Sequence, residues 1–115
     1  MSKINVFLDD VRPCPENYIL ASDIEECIKL LKEKDIQHLS LDHDLENKYR
    51  NGYMLVEYMV KHKLFADTIT VHSANSGAGK RMFLFLKDAQ EDFLIPRDVK
   101  IIYNPLPLKI INRVH

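Results

Sequence analysis

Ile36-Gln37-His38-Leu39-Ser40-Leu41 is a short, mostly apolar run that stops abruptly at Asp42-His43-Asp44, and this stretch decides the fold. The run predicts a strand over residues 37–41, because its length and apolar content are typical of a buried strand. Three more runs have the same form, each closed by polar side chains: residues 4–8 before Asp9-Asp10, residues 68–71 before His72-Ser73, and residues 99–103 before Asn104-Pro105. A fifth, weaker strand is predicted at residues 18–21.

Amphipathic stretches separate these strands. Ser22 or Asp23 can cap a first helix, Asn51-Gly52 precedes a second, and residues 76–79 precede a third. Each predicted helix carries apolar or bulky side chains at i, i+3, i+4 and i+7, which places them on one face. These stripes are Ile24, Cys27, Ile28 and Leu31, then Leu55, Tyr58, Met59 and His62, and then Met82, Phe85, Leu86 and Ala89.

The alternation of strands and helices predicts one three-layer α/β domain over residues 1–115, with a parallel sheet of about five strands and right-handed crossovers. The link between the first two strands is the exception. It contains Pro13 and Pro15 and is too short for a full crossover helix, so we expect the first crossover to be reduced. Residues 108–111 could form a short strand or a turn of helix.

Composition bounds the class of protein. The 115 residues include 16 Lys and Arg against 17 Asp and Glu, so no strong field attracts DNA, RNA or an anionic membrane. No run reaches the roughly 18 apolar residues of a membrane span, and no signal peptide is recognisable at the N-terminus. Cys14 and Cys27 have no metal-site spacing. We therefore expect reduced thiols and a cytoplasmic location.

Acidic side chains follow two of the strands. Parallel sheets bind ligands beyond the carboxyl ends of their strands, so Asp9, Asp10, Asp42 and Asp44 are expected in one crevice. Carboxylate oxygens suit a hard cation, which makes Asp9, Asp10 and Asp42 candidate ligands of Mg²⁺ or Mn²⁺. The alternative is that one acid caps a turn and another pairs with a basic residue, Arg12 or Lys80.

His43 and His72 follow the ends of neighbouring strands beside these acids. Imidazole is the usual proton carrier near neutral pH, so the pair is predicted to act as general base and general acid on a phosphodiester, with Asp42 and Asp44 in the catalytic group. The alternative is that each histidine only fastens a loop through a hydrogen bond. His38, His62 and His115 lack this context and are interpreted as structural or exposed.

A phosphate site is predicted around the turn that precedes the third helix. The small residues of 73–79 leave backbone N–H groups free at the helix start, and Ser73, Asn75, Lys80 and Arg12 are the candidate phosphate ligands. The turn is not a Walker A loop, because Ala74 and Arg81 stand where that motif needs Gly and Ser or Thr. A plain helix cap with exposed basic residues is the alternative.

Four motifs together resemble the cyclic-phosphate processing receiver-like domain family: Leu8-Asp9-Asp10-Val11-Arg12-Pro13-Cys14-Pro15, Leu39-Ser40-Leu41-Asp42-His43-Asp44-Leu45, Asn51-Gly52-Tyr53, and Val71-His72-Ser73-Ala74-Asn75 with Met82. The resemblance implies a receiver- or flavodoxin-like sheet. It also implies a hydrolase or phosphoesterase acting on a cyclic phosphate or phosphodiester of a nucleotide or RNA end. A non-catalytic module that binds a partner or a cyclic nucleotide is the alternative.

Response-regulator receivers offer a second comparison. Their metal-binding acid pair resembles Asp9-Asp10, their phosphoacceptor aspartate resembles Asp42, and their Ser or Thr after the fourth strand resembles Ser73. Their lysine after the fifth strand has no clean match, since Asn104-Pro105 stands there and Lys109 comes later. His43 and His72 are not receiver features. These departures favour a repurposed site over a phospho-relay.

Overall fold

The fold is known from a computed structural model that describes residues 3–45 and 50–105. Within these residues, strands and helices alternate: β1 (Ile4–Leu8), β2 (Ile19–Ala21), α1 (Ile24–Glu33), β3 (Ile36–Leu41), α2 (Gly52–His62), β4 (Thr68–Val71), α3 (Ser76–Glu91) and β5 (Lys100–Tyr103). All strand pairs are parallel, and the strand order is β2-β1-β3-β4-β5. The predicted receiver- or flavodoxin-like α/β fold is therefore confirmed.

The three helices begin at side chains that accept backbone N–H groups of the first turn. The side chains of Asp23, Asn51 and Asn75 each accept a hydrogen bond from the backbone N–H of the third residue of α1, α2 and α3, respectively. The predicted stripe of α1 is buried throughout. The prediction that His62 belongs to the buried face of α2 was wrong, because His62 is exposed. The buried face of this helix includes Val56, which was not in the predicted stripe.

One hydrophobic core lies between the sheet and all three helices. It joins the inward side chains of α1, α2 and α3 to one face of β1, β3 and β4. The handedness of the crossovers explains this placement. The steps from β2 to β3, β3 to β4 and β4 to β5 advance in the same direction across the sheet, so right-handed connections put their helices on the same face.

The step from β1 to β2 runs across the sheet in the direction opposite to the other three steps. A right-handed connection between these two strands therefore lies on the face of the sheet opposite the helices. Residues 9–18 make that connection without a helix, as the two prolines predicted. The register pairs Phe7 with Ser40 and Ser40 with Thr70, so these three side chains share the face opposite the helices. The link closes over this face through Tyr18, whose ring lies edge-on against Phe7 and His38.

A polar chain fastens the end of the link to the sheet. The Tyr18 hydroxyl is hydrogen-bonded to His38 Nδ1, and His38 Nε2 lies 2.8 Å from Thr70 Oγ1. Burial, with a smaller contribution from the charge of His72, lowers the pKa of His38 below its ordinary value. The neutral ring can accept a hydrogen bond from the Tyr18 hydroxyl at Nδ1 and donate one to Thr70 from Nε2. The protonated ring could only donate hydrogen bonds.

This arrangement predicts lower stability at mildly acidic pH. Because folding lowers the pKa of His38, the unfolded chain takes up the proton first as the pH falls below the ordinary histidine pKa of about 6.5. The free energy of unfolding should therefore fall between about pH 7 and about pH 5. Urea titrations at both pH values should show a smaller fall for His38→Gln. The exposed control, His62→Gln, should behave like the wild type; an identical fall in all three proteins would refute the assignment.

The two cysteines of the chain occupy different environments. Cys27 is fully buried on the inner face of α1, and burial raises the pKa of its thiol to about 12. Cys14 lies partly exposed on the link, where its Sγ approaches the Tyr18 carbonyl oxygen at 3.4 Å. Both are free thiols.

None of the helices in the described part of the chain has the length and apolarity that a bilayer crossing needs. Residues 108–111, Lys109 and His115 lie outside the described residues.

Candidate active site at the carboxyl edge of the sheet

A cavity of about 350 Å³ opens at the edge of the sheet where β1, β3 and β4 end. Its lining comes from three connections: Val11 and Arg12 from the link after β1, Asp42 and Asp44 from the segment after β3, and Ala74 and Asn75 from the turn before α3. Four of these six residues were predicted as site residues from the sequence. Their convergence follows from the parallel order, which brings the three strand ends together.

Asp9 is buried next to this cavity, in contact with Arg12 of the cavity lining. Its Oδ1 accepts the backbone N–H groups of Val11 and Arg12 at 2.8 and 3.0 Å. Its Oδ2 accepts Arg12 Nη1 at 2.7 Å and His72 Nε2 at 2.9 Å. Burial alone would raise the pKa of Asp9, but these four hydrogen bonds outweigh it and hold the pKa well below its usual range.

His72 lies behind Asp9 and away from the cavity lining. It is 1% exposed, and both ring nitrogens are engaged, Nε2 by Asp9 and Nδ1 by Ser40 Oγ at 2.7 Å. Phe7 stacks on the imidazole with 4.6 Å between ring centroids and 4° between the ring planes. The ring is therefore held in one orientation, with its Nε2–H directed at Asp9.

Asp42 is buried at the end of β3 and lines the cavity. Burial and the negative charge of Asp9 raise its pKa, while His72, Arg12 and a hydrogen bond from Ser73 act in the opposite direction. Arg12 Nη1 lies 3.5 Å from Asp42 Oδ2, so one guanidinium nitrogen approaches both Asp9 and Asp42. The alternative to metal binding in the sequence analysis was that one acid caps a turn and another pairs with Arg12 or Lys80, and a contact between Arg12 and an acid is present here.

A second histidine–carboxylate pair consists of His43 and Asp44; Asp44 lines the cavity, whereas His43 is not among its lining residues. We call His43, Asp44 and Asn75 the rim. His43 Nδ1 donates to Asp44 Oδ1 at 2.6 Å, and the Asn75 amide donates to both oxygens of Asp44 at 3.3 Å. Ser73 is fully buried beside this turn, and its Oγ accepts the backbone N–H of Asn75 at 3.1 Å. The rim therefore joins the segment after β3 to the turn before α3.

Gly52 sets how closely the start of α2 approaches the Asp42-His43 backbone. Its N–H donates to the His43 carbonyl oxygen at 3.0 Å. A Cβ added at Gly52 would lie 2.1 Å from the Asp42 carbonyl oxygen, a distance that backbone atoms cannot accept without moving. The Asn51-Gly52 pair in the sequence therefore shapes the site as well as capping the helix.

Gly52→Ala is accordingly expected to lower the free energy of unfolding by at least about 1–3 kcal/mol, the usual cost of overpacking a filled site. Gly77→Ala is the matched control in another helix start, because the nearest atom to its added Cβ is an Arg81 side-chain nitrogen at 3.7 Å. Alanine there should be neutral or slightly stabilising. Urea unfolding of both variants checks this, and equal stabilities would contradict the close approach at Gly52.

The structure brings together some predicted residues and separates others. Asp9, Asp42, His72 and Arg12 form one buried cluster, and His43, Asp44 and Asn75 form the rim above it. Lys80 is exposed on α3 and is not among the residues that line the cavity. Four contributors were not predicted as site residues from the sequence: Phe7, Val11, Ser40 and Ala74. The polar Ser40 within an apolar strand was the one available signal.

Asp9, Asp42 and His72 each present one ligand atom within 4.8 Å of the others, so this buried group could hold a metal ion. Asp10, the third predicted ligand, does not belong to this group, and His72 takes its place there. The group as it stands fits a metal ion poorly. All four hydrogen-bonding positions of the Asp9 carboxylate are taken by N–H donors, and His72 Nε2 is one of those donors.

Comparisons with known proteins add one finding to this geometry. No curated protein matches the chain at the significance required. A protein-family model does match, over residues 4–88, which is more than half of the chain, and its description is "Cyclic-phosphate processing Receiver domain".

Proposed function

This chain belongs to the cyclic-phosphate processing receiver domain family, and from that membership we propose that it hydrolyses a cyclic phosphate or phosphodiester of a nucleotide or an RNA end. The observation that carries the proposal is the cavity at the carboxyl edge, which is lined by Arg12 and by two acidic residues, Asp42 and Asp44. A cation that attracts phosphate beside groups that exchange protons is what opening a cyclic phosphate requires.

In the proposed reaction, a water oxygen bonds to phosphorus while the bond from phosphorus to one ribose oxygen breaks. A base takes the proton from the water, and an acid gives a proton to the departing oxygen, which leaves an acyclic phosphomonoester. His43 suits the role of base. Because its Nδ1–H is held by Asp44, the neutral ring carries its lone pair on Nε2. Asp42 suits the role of acid, since its raised pKa lets it keep a proton to higher pH than an ordinary carboxyl group.

Phosphate contacts are assigned to Arg12 and Asn75, both of which line the cavity. Ser73 is buried and bonded to Asp42 and Asn75, so it positions these two residues. The exposed Lys80 would add longer-range attraction for an anion. His72 was predicted as the second proton carrier. Its burial and its two engaged nitrogens favour a positioning role on Asp9 instead.

Mg²⁺ or Mn²⁺, which the resemblance to receivers implies, is left out of this proposal. A divalent ion between Asp9 and Asp42 would have to displace Arg12 Nη1, which lies 2.7 Å from Asp9 and 3.5 Å from Asp42.

A turnover assay on 2′,3′-cyclic and 3′,5′-cyclic mononucleotides, and on RNA with a terminal cyclic phosphate, tests the proposed function. Formation of the acyclic monophosphate from at least one of them, lost in Asp42→Asn, is expected. Asp67→Asn, far from the cavity in an exposed pair with Lys3, should keep full turnover. Binding of these compounds without any product would reject the enzyme and support the alternative of a module that binds a cyclic nucleotide.

A further inference from the structure

The helix-free link delivers one basic side chain into the acidic interior of the site. Arg12 is buried, with 3% of its side chain exposed, and its Nη1 lies between Asp9 Oδ2 and Asp42 Oδ2. A buried guanidinium is stable only when a carboxylate compensates its charge, and the buried carboxylate of Asp9, with Asp42 beside it, supplies that compensation. Arg12 thus stands where a cation shared by the two aspartates would stand.

The hydrogen bonds of Asp9 explain why a metal ion cannot simply be added. A metal ligand needs a free lone pair, and both oxygens of Asp9 already accept two N–H groups each. His72 ligates metals only through an unprotonated nitrogen, yet its Nε2–H is bonded to Asp9 and its Nδ1 to Ser40. The stacked ring of Phe7 opposes rotation of the imidazole.

From these contacts we propose that the guanidinium group of Arg12 is the resident cation of this site, and that the site binds phosphate without a divalent metal ion. A divalent ion close to a guanidinium is strongly repelled, so the two cations exclude each other from the space between Asp9 and Asp42. The planar fork of N–H groups suits phosphate oxygens better than a point charge does. The phosphate part of this inference rests on the proposed function, whereas the exclusion of the metal does not.

Titration calorimetry with Mn²⁺, in the absence of any nucleotide, tests the exclusion directly. Wild-type protein should give no saturable heat at millimolar Mn²⁺. Arg12→Met, which removes the charge and keeps an unbranched apolar side chain, should gain saturable Mn²⁺ binding. That gain should disappear in the double variant Arg12→Met with Asp42→Asn. Arg50→Met is the matched control, because Arg50 pairs with Glu25 on the surface and its loss should create no metal site.

Saturable Mn²⁺ binding by the wild type that is lost in Asp42→Asn would overturn the proposal, whatever the variants do. If Arg12→Met does not fold, Arg12→Lys is measured in its place. Lysine keeps the cation, so that variant should still bind no Mn²⁺, and binding by it would count against the proposal. A second readout is turnover with and without EDTA, where equal rates are expected. Absence of turnover under both conditions would reject the proposed function and leave the calorimetric result standing.

Discussion

Replacing Asp9 with asparagine is expected to lower the free energy of unfolding by about 3–5 kcal/mol, the usual cost of removing one partner from a buried ion pair. The asparagine oxygen could still accept the backbone N–H groups of the link. Its amide nitrogen would then face Arg12 Nη1 and His72 Nε2, so that donors oppose donors. Native domains of this kind are stable by roughly 5–15 kcal/mol in total, so the variant should lie close to unfolding.

Urea unfolding followed by far-UV circular dichroism measures this loss. Asp67→Asn is the matched control, because Asp67 forms an ion pair with Lys3 in which both side chains are about half exposed. Exposed pairs contribute about 0.2–1 kcal/mol, so the control should change stability only slightly. If Asp9→Asn lowers the free energy of unfolding as little as the control does, the four hydrogen bonds to Asp9 do not stabilise the site.

His43→Ala is expected to lower turnover of a cyclic mononucleotide by about 10²–10⁴-fold, the contribution typical of a positioned general base. Stability should change little, since His43 lies at the rim and its described side-chain bond is to the exposed Asp44. His72→Ala should differ in kind. Because that ring is buried against Phe7, Asp9 and Ser40, its loss should lower stability as well as turnover.

The two histidines are best compared by measuring turnover per folded molecule and thermal unfolding on the same samples. His62→Ala supplies the control, because His62 is exposed at the end of α2 and contacts Tyr58. Adding Asp44→Asn to His43→Ala should cost much less than the product of the two single losses, as residues of one unit are non-additive. Full turnover by folded His43→Ala would exclude His43 as the base.

The sequence was sufficient for the elements of the fold. Strands β1 and β4 begin and end at the predicted residues, and the other three strands differ from prediction by one residue at their start. The reason is physical: short apolar runs closed by polar residues, with capped amphipathic helices between them, permit one alternating parallel arrangement. The prolines of the link likewise excluded a helix between β1 and β2.

The site was only partly predictable, because its decisive contacts join distant parts of the chain. Asp9 and His72 are 63 residues apart in the sequence, and no local sequence pattern predicts the hydrogen bond between their side chains. Which residues of the neighbouring strands lie beside Ser40 depends on strand register, and the sequence alone did not give that register. Arg12 was predicted to contact phosphate or to pair with an acid, and its position between two buried carboxylates appeared only in three dimensions.

Cys14 and Cys27 differ in exposure, so a spectroscopic label can be attached selectively to the unmodified sequence. The thiolate is the nucleophile that reacts with thiol reagents. Cys27 is fully buried and the pKa of its thiol is raised to about 12, so it should remain unlabelled in the folded protein. Cys14 is accessible on the link, two residues beyond Arg12, although burial raises its pKa as well and should slow its reaction. A maleimide fluorophore could therefore be attached at one defined position without any cysteine being removed. Its emission would follow movement of the segment that carries the guanidinium group.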